Sequence, residues 1–405
     1  MPADVLEARN MRLLGRETLG GFGNGGEGLA MHLARGRRML FIAHESAPIN
    51  FSVVDVTDPG APRLVTQVRL PHERVRSNSL SAHGDLLIVA YQTKTVGDEP
   101  AGAELFDISD PANPRSIAFY STAGPHSRGA HFVWLQDDRH AFLSTGLPDF
   151  QPRHPDDDQI VVILDVSDPS HPVESGRWWL PGTREGDAAP PPERHTVWDS
   201  GFRAHNVNVY PRRPDRAYVA YLDAGVVILD ISDHARPAMV SRLDYHPPMP
   251  GFTHTVVPLF ERGLLAVADE SNVDAARDAP KNLWVAYAGD ESHPLLVSSA
   301  PTPPAAEFAG RGGRFGMHNL HENDPVPTAW KSESTLIATF FNGGVRAFDI
   351  GNPFRPEEIG FLVPAAPPGS PMGAVQMNDV YVDDRRYIYA IDRFAGGLYV
   401  MELLD

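Results

Sequence analysis

Four histidines occupy the same position in four successive repeats of this sequence. They stand in the segments Gly129-Ala-His131-Phe-Val, Arg203-Ala-His205-Asn-Val, Phe252-Thr-His254-Thr-Val and Gly316-Met-His318-Asn-Leu, each of which begins a predicted inner β-strand. If the repeats close into a ring, the four imidazoles converge on its axis. Clusters of imidazole bind Zn, Cu, Fe, Ni or Mn. The pattern predicts a mononuclear metal centre, and the alternative is a set of ordinary buried histidines at strand ends.

The other three repeats offer Gly28, Asn78 and Gln376 at the aligned position. The predicted donor set is therefore four neutral histidines with no carboxylate. A divalent ion would keep its full charge among such ligands. If it were six-coordinate, two positions would stay open for substrate, water or dioxygen.

The repeat that carries these histidines is easiest to follow through a strand that ends in aspartate. Five clear copies end at Asp55, Asp107, Asp165, Asp230 and Asp349, and two degenerate copies surround Tyr287 and Leu398. Seven units at a spacing of roughly 50 to 65 residues indicate a β-propeller or a solenoid. Four strand-like runs per unit favour the propeller.

The last copy lacks a fourth strand. A matching segment stands at the start of the chain, where Met11-Arg-Leu-Leu-Gly-Arg-Glu-Thr-Leu resembles Pro62-Arg-Leu-Val-Thr-Gln-Val-Arg-Leu. The N-terminal strand is predicted to close the seventh blade, which would leave no open edge in the ring. The predicted fold is thus all-β, a seven-bladed β-propeller, with residues 1–405 as a single domain.

Composition narrows the possible functions. Hydrophobic residues make up 42% of the chain, which suits a full core, and no run is long enough for a membrane helix. With a net charge of −17 and no basic stripe, nucleic acid and membrane partners are not expected. The absence of cysteine excludes thiolate nucleophiles and thiolate ligands, and it fits a cytoplasmic protein.

Loops are long on only one rim of the predicted ring, the rim on which the inner strands start. Loops that lead into inner strands include 180–201 and 300–316. Elaborated loops favour function at that rim. His126 lies in one of these loops and is a candidate acid, base or fifth ligand. Glu45 and Glu270 end second strands on the same rim, where they could orient the unliganded nitrogens of the histidines.

Two resemblances follow from these residues. The strands Val162-Ile-Leu-Asp-Val-Ser-Asp-Pro and Val227-Ile-Leu-Asp-Ile-Ser-Asp resemble those of LVIVD-repeat β-propeller proteins, which implies the fold and little about function. The histidine arrangement resembles, in architecture alone, that of the carotenoid cleavage oxygenases. This second likeness implies Fe(II), favoured over Zn, Mn or Cu, and dioxygen chemistry on an apolar or aromatic small molecule.

Three functions are compatible with this pattern. The first is an oxygenase-like enzyme with a ferrous ion, and the second is a non-redox metal enzyme such as a lyase, hydratase, isomerase or lactonase. The third is a binding scaffold with no catalytic role. The first is favoured by rim aromatics that could receive an apolar substrate: Trp198, Phe202, Phe252, Phe308, Phe315 and Phe394.

Overall fold

The computed structural model describes residues 4–404, and nearly all of its regular secondary structure is short antiparallel strands. Strands β1 (Val5–Arg9) and β2 (Met11–Glu17) come first, ahead of the seven repeats. No helix in the described part of the chain is long and apolar enough to cross a membrane.

Seven sheets follow, one for each repeat. The first three contain β3 (Gly25–Ala34), β4 (Arg37–His44), β5 (Ile49–Asp55), β6 (Arg63–Arg69), β7 (Val75–Arg76), β8 (Leu80–His83), β9 (Leu86–Thr93), β10 (Gly102–Asp107), β11 (Arg115–Ser121), β12 (Ala130–Leu135), β13 (His140–Thr145), β14 (Ile160–Asp165) and β15 (Val173–Trp178). The next two contain β16 (Val207–Tyr210), β17 (Arg213–Ala220), β18 (Val226–Asp230), β19 (Ala238–Leu243), β20 (Thr253–Leu259), β21 (Leu264–Asp269), β22 (Leu283–Tyr287) and β23 (Leu295–Ser299). The last two contain β24 (Thr335–Thr339), β25 (Val345–Asp349), β26 (Glu357–Pro364), β27 (Met377–Val382), β28 (Tyr387–Asp392) and β29 (Leu398–Leu403). A 3-10 turn (Asp274–Ala276) and helix α1 (Ala305–Phe308) lie in loops.

Each sheet is an antiparallel meander, so the predicted seven-bladed propeller is confirmed. The inner strand is irregular in two blades. In blade two it is split into β7 and β8, which both pair with β9. In blade six two isolated bridges replace it, between Leu320 and Ala338 and between Phe315 and Phe341. The blades pack face to face through apolar side chains, and at the closure Tyr381 of blade seven shares one cluster with Leu40 of blade one.

The N-terminus closes the ring as predicted. Strand β2 pairs antiparallel with β29, in a register that sets Met11 opposite Leu403 and Glu17 opposite Leu398. Strand β1 was not anticipated, and it adds a further outer strand to blade six by pairing with β26. The N-terminal segment therefore joins two neighbouring blades. Asn10 lies between the two strands with a φ of 52°, a left-handed conformation that asparagine tolerates.

The repeated aspartate has a local structural role. In five blades its carboxylate accepts the backbone N–H two residues later, from Thr57 (3.0 Å), Ser109 (2.9 Å), Ser167 (2.9 Å), Ser232 (2.9 Å) and Gly351 (2.6 Å). These are Asx turns, which reverse the chain between the third and fourth strands. Their recurrence therefore follows from the turn that each blade needs.

Candidate metal centre

The four aligned histidines meet at the axis. His131 and His254 are the second residues of β12 and β20, and His205 and His318 stand in the extended segments that begin the inner edges of blades four and six. In blade three Ala130 pairs with Thr145 and Phe132 pairs with Ser144, so His131 is the extra residue of a β-bulge. The same shift surrounds His254. The bulge removes the histidine from the regular ladder at the mouth of the channel.

Their rings form a continuous arc. Successive ring centroids are 4.4 Å apart from His131 to His205, 3.9 Å from His205 to His254, and 4.5 Å from His254 to His318. The side chains of His254 and His318 are 0% exposed. Burial lowers the pKa of His131, His205 and His318, which favours neutral imidazoles with a free lone pair.

One nitrogen of each ring is occupied by a protein partner. The Nδ1 atoms lie near Gln92 Oε1 (3.1 Å), Asn206 Oδ1 (2.9 Å), Thr255 Oγ1 (2.8 Å) and the Asn378 carbonyl oxygen (2.6 Å). Oxygen acceptors at Nδ1 place the proton there and leave the Nε2 lone pair free, as in protein-bound metal sites. The Nε2 atoms of His254 and His318 are buried with no hydrogen-bond partner in residues 4–404.

A carboxylate that the alignment missed lies among these nitrogens. Glu27 Oε2 is 3.5 Å from His131 Nε2, 4.0 Å from His205 Nε2 and 3.6 Å from His254 Nε2. Its Oε1 is 3.6 Å from His318 Nε2. A glutamate thus lies among the four histidines, which the expected all-histidine donor set did not include.

The alignment missed Glu27 because β3 is irregular where it enters the site. Gly25 pairs with His44 and Leu29 pairs with Ile42, which leaves three residues opposite one and moves the equivalent position from Gly28 to Glu27. Burial disfavours its charge, but the neighbouring imidazoles of His131, His254 and His318 outweigh burial and hold its pKa well below the usual value. Glu27 is thus an ionised oxygen donor.

Asparagines occupy the remaining two positions of the ring. Asn78 is placed as expected, and its side-chain amide donates to Glu27 Oε2 over 3.2 Å. In blade seven the bulge lies between Met377 and Asp379, so Asn378 takes the position expected for Gln376. Gln376 instead accepts a hydrogen bond from the Arg314 backbone N–H.

Glu270 lies beside the cluster, on the Nε2 side of the rings. It is 3.8 Å from His254 Nε2 and 3.7 Å from His318 Nε2, and Arg314 holds it at 2.8 Å. The expectation that it orients the opposite ring nitrogens is wrong, because those nitrogens have the partners described above. Burial opposes its ionisation, but the nearby imidazoles and Arg314 lower its pKa.

Glu45 and His126 are placed differently from Glu270. Glu45 forms ion pairs with Arg76 at 2.5 Å and Arg393 at 3.1 Å, so it anchors arginines near the site rather than histidines. His126 is half-buried in its loop. In the described residues it makes no hydrogen bond or ion pair with the cluster and belongs to none of the groups that could hold an ion.

Three overlapping groups could hold a metal ion by proximity of their ligand atoms. They are Glu27 with His131 and His205, Glu27 with His254 and His318, and His205 with His254 and Glu270. In each group the ligand atoms lie within 4.8 Å of one another. Glu27, His205 and His254 each belong to two of these groups, so the three groups adjoin one another at the axis.

A cavity of about 250 Å³ opens above the cluster towards the rim. Its lining is mostly charged or amide-bearing, and it includes five arginines among the described residues: Arg76, Arg128, Arg203, Arg314 and Arg393. Of the six rim aromatics named from the sequence, Phe252 lines this cavity. Phe308 and Phe315 stack on each other and Phe394 lines a neighbouring cavity, so these three pack the loops.

Comparison with known proteins supports the fold. Residues 156–179 and 213–244 match the LVIVD repeat family. These two segments contain the strands whose sequences resemble LVIVD repeats. The β-propeller domain of Cps50 (Swd1) from Myceliophteria thermophila is similar to this chain with a TM-score of 0.54 and 13% identity, over 99% of each chain. No curated protein matches the sequence. The chain therefore contains LVIVD repeats and adopts a propeller fold that other proteins share.

Proposed function

We propose that this protein is a metal-dependent enzyme with a mononuclear centre held by His131, His205, His254, His318 and Glu27. The observation that carries the proposal is the pair of buried, unpartnered Nε2 atoms on His254 and His318, which face an ionised carboxylate. A buried polar atom without a partner costs about 1–3 kcal/mol. A cation shared with Glu27 would satisfy both atoms.

The spacing of the donors suits a common ion. Ligands about 2.1 Å from a metal lie about 3 Å apart when adjacent and about 4 Å apart when opposite. The Nε2 atoms of His131 and His205 are 2.8 Å apart, and Glu27 is 3.5–4.0 Å from the four imidazoles. Two lone pairs at 2.8 Å repel each other, and either a proton shared between the two nitrogens or a cation beside them relieves that repulsion.

Mixed histidine and carboxylate donors beside an open cavity are typical of non-haem Fe(II), which we favour over Zn, Mn or Cu. When bound, such an ion supplies Lewis acidity and, if ferrous, a place for dioxygen chemistry. The protein contributes the remaining functions. Glu270, fixed by Arg314, faces the cavity as a proton acceptor, and the loops of the rim limit access to a small molecule.

A catalytic centre keeps an exchangeable position, whereas a structural one is usually closed. The test is to load the chelator-treated chain with Fe(II) anaerobically and add nitric oxide, an analogue of dioxygen. A half-integer-spin EPR signal from the wild type, absent in His254→Ala, is the expected result. Tight ferrous binding with no signal would contradict an open centre and favour a structural ion.

The second candidate is a non-redox metal enzyme. It is supported by Glu270, a carboxylate placed near the imidazoles where a general base would be needed. Substrate turnover that is equal with and without dioxygen would select it. Turnover that requires dioxygen would select the oxygenase.

A further inference from the structure

Two arginines of the rim cavity share a single carboxylate. Arg128 Nε lies 2.7 Å from Asp158 Oδ2, and Arg203 lies 3.3 Å from Asp158 Oδ1. Asp158 is buried, so its single negative charge is held between two guanidinium groups. One positive charge is left over at this wall of the cavity.

Arg203 also has unused hydrogen-bonding capacity. Its Nε is buried with no partner in the described chain, although the residue lines the cavity beside His131 and His205. Arg128 reaches Asp158 through Nε and lines the same cavity. A guanidinium presents up to five N–H donors in a planar fork that matches carboxylate and phosphate oxygens. Because both residues line the cavity, their terminal N–H groups are the donors available to a ligand above the cluster.

The other three arginines that line the cavity also outnumber their carboxylate partners. Glu45 forms ion pairs with both Arg76 and Arg393, whereas Arg314 is the one arginine paired with Glu270 among the described residues. Together with Asp158, three carboxylates partner five arginines. Glu27 offsets one of the two positive charges that remain, and a divalent ion would add two more. The cavity therefore has a positive potential that favours anions.

From this arrangement we infer that the substrate is a small oxyanion, a carboxylate or a phosphate ester, whose anionic group is bound by Arg128 and Arg203 next to the metal centre. The inference rests on the proposed function, because it assigns the substrate class of that site. It adds an anionic group to the apolar or aromatic small molecule expected from the sequence. Phe252 provides an apolar wall, so an anion with a short apolar or aromatic body suits the cavity of about 250 Å³.

The experiment is calorimetric titration of the chelator-treated full chain with two probes, inorganic phosphate and benzoate. We expect at least one probe to bind the metal-free wild type. Arg203→Gln and Arg128→Gln should each weaken that binding at least tenfold, and Arg203→Lys should restore part of it. The preferred probe distinguishes a phosphate ester from a carboxylate.

Arg177→Gln is the matched control. Arg177 lies on the outer strand β15, is also half-buried and pairs with two carboxylates, Glu174 and Asp149. The Arg177→Gln variant should bind both probes as the wild type does. Thermal unfolding of all variants shows whether a loss of binding is due to misfolding, and Arg128→Gln provides a second reading if Arg203→Gln is unstable.

Several outcomes separate this inference from the proposed function. No binding of either probe to the wild type, or equal binding by Arg203→Gln, overturns the anion site. One metal ion per chain without anion binding overturns this inference alone. Arg203-dependent anion binding in a chain that takes up no metal overturns the metal centre and retains the anion site.

Discussion

Glu27 is the residue that most changes the chemistry of the centre. An oxygen donor among four imidazoles lowers the net charge of a bound divalent ion and favours Fe or Mn over Cu. Its position one residue before Gly28 also shows how a bulge can hide a functional side chain from an alignment. The ring of equivalent positions contains a glutamate, two asparagines and four histidines.

Replacing Glu27 by Gln should weaken metal binding roughly tenfold or more, since a charged ligand is lost at nearly constant volume. The measurement is competition for Fe(II) or Co(II) with a chelator of known affinity. Glu358→Gln is the control, because Glu358 lies on β26 and pairs with Arg9 and Arg346, away from the histidines. Equal metal affinity of Glu27→Gln and the wild type would exclude Glu27 as a ligand.

His321, three residues after His318, has a purely structural environment. Its Nε2–H donates to the Trp330 carbonyl oxygen over 2.8 Å, and its Nδ1 accepts the Val382 backbone N–H over 3.1 Å. Both nitrogens are used by the neutral ring. Burial lowers its pKa to about 4, from 6.5. A second proton would break the bond to Val382.

The sign of the pH effect follows from that shift. Between pH 6.5 and pH 4 the unfolded chain binds a proton at His321 that the folded chain does not, so stability is lost as the pH falls through this window. The loss is at most about 3 kcal/mol. His321→Gln should show a smaller fall in urea midpoint from pH 7 to pH 5, measured with chelator present. The control is His171→Gln, on an exposed turn, which should show the same fall in urea midpoint as the wild type. If His321→Gln also shows the wild-type fall, His321 is not the source of the pH dependence.

At the scale of elements, the closure of the ring depends on β2. Met11 is buried, pairs in register with Leu403 and packs in the apolar cluster shared by blades six and seven. Without this strand, β29 would expose an edge with unpaired N–H and C=O groups. The N-terminal segment also supplies β1 to blade six, so it stabilises two blades at once.

A charge placed in this apolar cluster should disrupt the pairing of β2 with β29 that closes the ring. Met11→Asp buries an unpaired carboxylate, and we expect the free energy of unfolding to fall by several kcal/mol, on the order of 3. Thermal or urea unfolding measures the change. Leu6→Asp is the matched control, because Leu6 is 51% exposed on β1 and should change stability little. Similar midpoints for both variants would contradict closure by β2.

At the scale of the whole molecule, the repeat made the architecture predictable. The five strands that end in aspartate and the two degenerate copies predicted the number of blades, and the resemblance of Met11 onwards to a fourth strand predicted the closure. The convergence of the four histidines followed from their equivalent positions, because equivalent positions in a closed ring meet at the axis.

Other parts of the site had no local signal. Glu27 depends on a bulge in β3, which periodicity cannot reveal. The five arginines of the cavity come from different loops and strand starts, and a cluster formed only by long-range folding leaves no stripe of charge in the sequence. The sequence predicted Glu270 at the site, but packing decides whether its side chain faces the Nδ1 or the Nε2 atoms of the histidines.

The most direct test of the metal centre is elemental analysis of the chain purified without chelator or affinity nickel, counted per chain, for the wild type and for His254→Ala. We expect close to one ion of iron, or of manganese or zinc, in the wild type, and little in a folded His254→Ala. A wild type that contains no metal, and takes up none when Fe(II), Zn(II), Mn(II) or Cu(II) is supplied, would contradict the centre.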